Sequence, residues 1–215
     1  MMNKKNTYIM LSDGKFLEEK VCYEGVKHII KPQSRVVCIP FACSPKFLFE
    51  KSDKEFSYDG DFYKQHYRHF EQYDVSDFYI INPSDPIGFI EWKIDHCDII
   101  YLSGGSMKVL KFMLQSFGLW DILRKIEDKV IIGESAGSLM LQKTYIVFSE
   151  YGLPNYYKGL DLVDTDILVH YEKDNTTHTS NFNTMKIFDD TYALPNNGGL
   201  IIEENKVTKV GEVYD

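Results

Sequence analysis

Val130-Ile131-Ile132-Gly133-Glu134-Ser135-Ala136-Gly137-Ser138-Leu139-Met140-Leu141 decides how this chain is read. Three consecutive β-branched residues make an apolar run without alternation, as expected of a strand covered on both faces. Gly-x-Ser-x-Gly follows, and then an apolar segment able to continue as a helix. A strand that turns sharply into a helix at a serine is the setting of a nucleophile elbow, whose hydroxyl projects above the carboxyl edge of a sheet. Such a serine sits in a strained backbone conformation, and the flanking glycines let the helix start pack close to the strand. The first N–H groups of that helix are then free to stabilise an oxyanion. The plainer alternative is that Ser135 only caps a helix. The strand before it and the helix-capable stretch after it favour the elbow.

On either side, further short apolar runs recur at Thr7–Leu11, 35–40, 77–81 and 98–102. Longer segments that suit helices lie between them. Val21, Val26, Ile29 and Ile30 stud residues 16–30, and Met107, Leu110 and Leu114 share one helical face. Strand-helix-strand alternation of this kind predicts an α/β fold with a doubly wound, mostly parallel sheet flanked by helices. Beyond about residue 145 the strands become short and turn-separated. Asn196-Asn197-Gly198-Gly199 and Glu204-Asn205 read as hairpin turns, which predicts short antiparallel C-terminal strands on the sheet edge.

The chain has 215 residues, 44% of them hydrophobic, 14% aromatic and 26% charged. That balance excludes intrinsic disorder and predicts one domain over 1–215. A formal charge of −8 argues against a nucleic-acid backbone or an anionic membrane as the main partner. Arginine occurs only at Arg35, Arg68 and Arg124, so any guanidinium fork for a carboxylate must come from these three. Cys22, Cys38, Cys43 and Cys97 contain no Cys-x-x-Cys pair and read as reduced, mostly buried thiols. The first six residues are polar and lysine-bearing, and the apolar run from Tyr8 to Leu11 reads as too short for a signal h-region or a membrane span. The expected location is the cytoplasm.

Two further patterns bear on chemistry. Tyr101-Leu102-Ser103-Gly104-Gly105-Ser106 is a second buried run opening into glycines and then a helix. Read alone it is a tight turn, but beside the elbow its N–H groups would face the same oxyanion. Neither a Walker loop nor a dinucleotide fingerprint is present. His66 and His69, at a spacing of three, would share a helix face, and the reading preferred for 44–73 is a solvated, aromatic-rich helix rather than a metal site. A serine nucleophile needs a base, and only His170 and His178 follow Ser135.

Gly104-Gly105 after a strand, Gly133-Glu134-Ser135-Ala136-Gly137, the histidine in Ile167-Leu168-Val169-His170-Tyr171, and Ala193-Leu194-Pro195 followed by glycines together resemble the peptidase E family of serine peptidases. This family, S51, includes the α-aspartyl dipeptidases and the related cyanophycinases, and the resemblance covers nearly the whole chain. It implies a class I glutamine amidotransferase-like fold, with serine where those enzymes carry a cysteine nucleophile. It further implies a hydrolase acting on a small peptide substrate, with Ser135 as nucleophile and His170, 35 positions later, as general base. Oxyanion donors would be the N–H of Gly104 or Gly105 and that of Ala136. The orienting acid would be Glu150, with Asp164 in reserve. No metal or organic cofactor is implied, and a homodimer is compatible with the family.

Three features depart from the family pattern. Ser138 stands where alanine is usual, Val169 stands where proline usually precedes the histidine, and no arginine follows Arg124 to hold a substrate aspartate. Two rivals are an esterase of the α/β-hydrolase type, which places its histidine nearer the C-terminus, and a non-catalytic amidotransferase-like domain that binds a ligand or partner.

Overall fold

The structure, a computed structural model, describes residues 6–187, 190–204 and 206–215. Its strands are β1 (Thr7–Leu11), β2 (Arg35–Ile39), β3 (Asp77–Ile80), β4 (Ile99–Leu102), β5 (Val130–Glu134), β6 (Thr144–Phe148), β7 (Pro154–Lys158), β8 (Asp166–Val169), β9 (Thr191–Leu194), β10 (Gly198–Glu203) and β11 (Lys206–Gly211). Its α-helices are α1 (Lys20–Val26), α2 (Pro45–Glu50), α3 (Ser52–Glu55), α4 (Asp61–Arg68), α5 (Ile87–His96), α6 (Met107–Ser116), α7 (Leu119–Lys125), α8 (Ala136–Leu141) and α9 (Thr176–Met185).

Seven strands form the main sheet in the order β11-β10-β1-β5-β4-β2-β3. The five from β1 to β3 in that order run parallel, which requires crossovers and places helices over both faces. Full coverage explains why β4 is apolar at every position and buried at every position. Ile99, Ile100, Ile131 and Ile132 are essentially solvent-free, and each such side chain contributes roughly 2 kcal/mol by its removal from water. Helix α8 lies across β1, β4 and β5, α6 packs on α8, and α1 covers β11.

The predicted α/β architecture is therefore present, and β10 and β11 do extend the β1 edge antiparallel. The remaining C-terminal strands do not. β6 and β7 pair only with each other, antiparallel, and β8 and β9 form a separate parallel pair. The stretch 196–199 is thus not a hairpin turn. Gly198 N–H does close a turn on Pro195 O at 3.0 Å, but the strands it joins belong to different sheets. The second expected hairpin exists, since Glu203 pairs with Lys206, although Asn205 lies outside the described residues. Among the described residues no helix is long and apolar enough to cross a membrane.

Residues 44–73 also differ from expectation. They fold as three short α-helices and a 3-10 turn at Glu71–Tyr73, and His66 and His69 are buried rather than solvated. Their rings pack against Tyr101, while His66 Nδ1 bonds Phe62 O at 2.8 Å and His69 Nδ1 bonds Glu18 Oε1 at 2.8 Å. The aromatic excess of this segment makes core. Among the described residues no cluster of side chains suited to a metal ion is found.

Candidate active site

The elbow is built where β5 ends between β1 and β4. Ser135 takes φ 48° and ψ −107°, a conformation that L-residues avoid and that surrounding structure must impose. Its N–H donates to Leu11 O at 2.8 Å, so the corner is held by β1 to its last residue. A Cβ on Gly137 would stand 2.1 Å from Leu102 O, which is why glycine is needed where α8 meets β4. Ser138, in the position usually alanine, is fully buried; its Oγ accepts from Leu11 N–H at 2.8 Å and lies 2.6 Å from Gly133 O as a donor. The hydroxyl fastens α8 to two strands.

Ser135 Oγ lies 2.7 Å from His170 Nε2, hydrogen-bond distance for transfer of the serine proton. His170 follows β8 in a left-handed conformation, φ 55°, that turns its ring toward the elbow. Buried Ser12, just past β1, sets this second corner. Its Oγ accepts from His170 N–H at 2.9 Å and donates to Leu194 O at 2.6 Å.

The structure does not bring Glu150 or Asp164 to His170. Glu150 stands exposed in the turn between β6 and β7, on a hairpin outside the main sheet. Asp164 precedes β8 whereas His170 follows it, and at about 3.3 Å per residue a strand keeps its two ends apart. The partner of His170 Nδ1 is Asn196 Oδ1, at 2.8 Å. With the amide oxygen as acceptor, Nδ1 carries the proton and Nε2 is free to receive one. The sequence marks Asn196 only as turn chemistry, and no spacing rule singles it out.

The glycine loop after β4 reaches the same spot. Gly105 has φ 137°, and a Cβ there would stand 2.5 Å from Ala42 O, so the loop lies flat on that backbone. Ser106 N–H donates to Ala42 O at 2.8 Å and locks the register. The Gly104 N–H is engaged, donating to Glu134 Oε2 at 3.2 Å. Gly105 N–H makes no hydrogen bond to a described residue, and Ala136 opens α8, where the first N–H groups have no helical acceptor.

Glu134, the residue within the elbow motif that sequence reasoning passed over, is half-buried and also receives a hydrogen bond from the Tyr101 hydroxyl. Burial first, and the Glu134 charge second, push the Tyr101 phenol well above its ordinary value, so it remains a donor. Burial likewise holds His66 below the usual histidine range, leaving it neutral nearby. Like charges repel, more strongly at a partly buried site than in water, so this carboxylate bears on any anion forming beside Ser135.

The pattern of peptidase family S51 matches residues 9–210. This chain belongs to peptidase family S51. Two solved structures are similar to this S51 peptidase, and both support its class I glutamine amidotransferase-like fold. One is a protein from Listeria monocytogenes EGD-e with a provisional peptidase E name, 19% identical, with a TM-score of 0.67 over 96% of this chain and 98% of that one. The other is a peptidase from an acI-B1 Actinobacterium, 15% identical, with a TM-score of 0.69 over 98% of this chain and 90% of the other. No protein with a curated description matches this S51 peptidase.

Proposed function

We propose that this S51 peptidase hydrolyses short peptides, in the manner of a dipeptidase, through a Ser135–His170–Asn196 arrangement. The 2.7 Å approach of Ser135 Oγ to His170 Nε2 carries the reading. Ser135 attacks the scissile carbonyl while His170 takes its proton, and the tetrahedral oxyanion is received by the N–H groups of Gly105 and Ala136. His170 then protonates the leaving amine, and the acyl group on Ser135 is released by water activated at the same nitrogen. Each oxyanion donor contributes about 3 kcal/mol in comparable enzymes. Asn196 holds the imidazole tautomer and orientation, as an acid would, without adding a negative charge. Four free cysteines are consistent with action in the cytoplasm.

A fluorophosphonate probe tests this directly. Intact protein should be labelled at Ser135, located by peptide mass mapping, and Ser135→Ala should remove the label. Folded wild-type protein that takes no label would overturn the peptidase reading.

A further inference from the structure

We propose that Glu134 is the specificity residue of this site, its carboxylate binding a cationic nitrogen on the acyl side of the scissile bond. This rests on the peptidase reading above and names its substrate class, peptides positively charged at that end.

Position comes first. Glu134 is the chain neighbour of Ser135, and a Cβ built on Gly104 would stand 3.2 Å from Glu134 Oε1 and 3.3 Å from Ser135 Cβ. Carboxylate and nucleophile therefore border the same point of the glycine loop. Oε2 is occupied by the Tyr101 hydroxyl and the Gly104 N–H, two donors that orient the group without neutralising it. Oε1 has no hydrogen bond to a described residue, and Glu134 keeps part of its surface in solvent.

Charge comes second. Arg35 pairs with Asp98, Arg68 with Glu18 and Arg124 with Asp161; His69 engages Glu18 through Nδ1 while its Nε2 and the Glu134 carboxyl carbon each stand 3.1 Å from a Cβ built on Gly14, and burial, against the pull of Glu134, holds His66 below the usual histidine range. Among the described residues Glu134 has no ion-pair partner. A carboxylate without an ion pair beside the oxyanion site opposes the charge that must develop there. A cation delivered by the substrate removes that opposition only when the substrate is bound, and so discriminates in the rate as well as in binding. The same carboxylate repels an N-terminal aspartate side chain, consistent with the lack of any arginine after Arg124.

The cation has two sources, the peptide's α-ammonium or a lysine or arginine side chain. The test measures kcat/KM for matched substrates with a free alanyl, N-acetyl-alanyl, N-acetyl-lysyl or free aspartyl acyl residue, in wild type and Glu134→Gln. Wild type should favour at least one cationic substrate over N-acetyl-alanyl by tenfold or more, the free-alanyl and N-acetyl-lysyl arms showing which nitrogen is read. Glu134→Gln keeps the shape and removes the charge, and should collapse that ratio to within about twofold. Wild type that is labelled at Ser135 and cleaves all four equally overturns this inference alone, as does a Glu134→Gln variant that loses all substrates in equal proportion. Wild type that takes no label overturns the peptidase reading and this inference with it.

Discussion

Ser135 and His170 both stand at left-handed corners just beyond a strand, with φ of 48° and 55°, yet the two corners are held in different ways. The Ser135 corner closes the central strand of a seven-stranded sheet, and the residues whose types it demands lie in one contiguous stretch, the glycines on either side and the hydroxyl of Ser138, although they answer to Leu11 of β1 and Leu102 of β4. The His170 corner ends one strand of a two-stranded sheet. It is set from a distance, by Ser12, 158 positions away in sequence, and by Asn196, 26 positions away. Both corners rest on tertiary contacts, but those of the nucleophile demand residue types that show in adjacent sequence, whereas those of the base do not.

The strongest way to break the local corner is Gly137→Ala. The new methyl meets the carbonyl of Leu102, which belongs to the buried strand β4 and cannot swing aside. We expect a loss of about 3 kcal/mol, the upper end for forcing an extra carbon into a packed site, read as a lowered urea midpoint with unchanged slope. A loss below about 0.5 kcal/mol would show that α8 is not pressed on β4 as described.

The distant corner should respond in activity rather than in stability. Asn196→Ala removes the acceptor on Nδ1 and should lower kcat/KM by ten- to a hundredfold while leaving the urea midpoint nearly unchanged. Asn196→Asp sharpens the comparison through pH. A carboxylate there favours the imidazolium, so the acid limb of the kcat/KM profile should move to higher pH. A limb that does not move would mean that residue 196 does not contact the catalytic imidazole.

The same division explains how much was legible in the sequence. The five parallel strands were visible because burial on both faces leaves unbroken apolar runs, and β3, expected over 77–81, ends one residue earlier at Ile80. The elbow was visible because its glycines meet steric demands written in adjacent residues. Of the C-terminal strands β7 has no counterpart in the sequence reading, and β6, β8 and β9 pair away from the edge that β10 and β11 extend, since short segments such as Asp166–Val169 carry no mark of which edge they join. Asn196 was hidden for a related reason: an Asn-Asn-Gly-Gly run is strong turn chemistry, and the turn is real, but an asparagine side chain aimed at an imidazole leaves no pattern of its own. The histidines of α4 and its C-terminus misled in the opposite sense, because a polar-looking segment supplied core.

The smallest expected effect is at Glu150. An acid fifteen positions or so beyond the nucleophile is what the family resemblance suggested, so Glu150→Gln separates inheritance by spacing from the contacts present in this chain. Glu150 is exposed on the tip between β6 and β7, while the imidazole nitrogen it would have to meet is filled by Asn196 at 2.8 Å. An exposed carboxylate with no fixed partner changes stability by no more than about 0.5 kcal/mol when neutralised, and solvent screens its field. We therefore expect less than a twofold change in kcat/KM and no shift in the pH profile. A tenfold loss would require the β6–β7 hairpin to fold over the site during turnover and displace Asn196, which would make the distant corner a moving part rather than a fixed one.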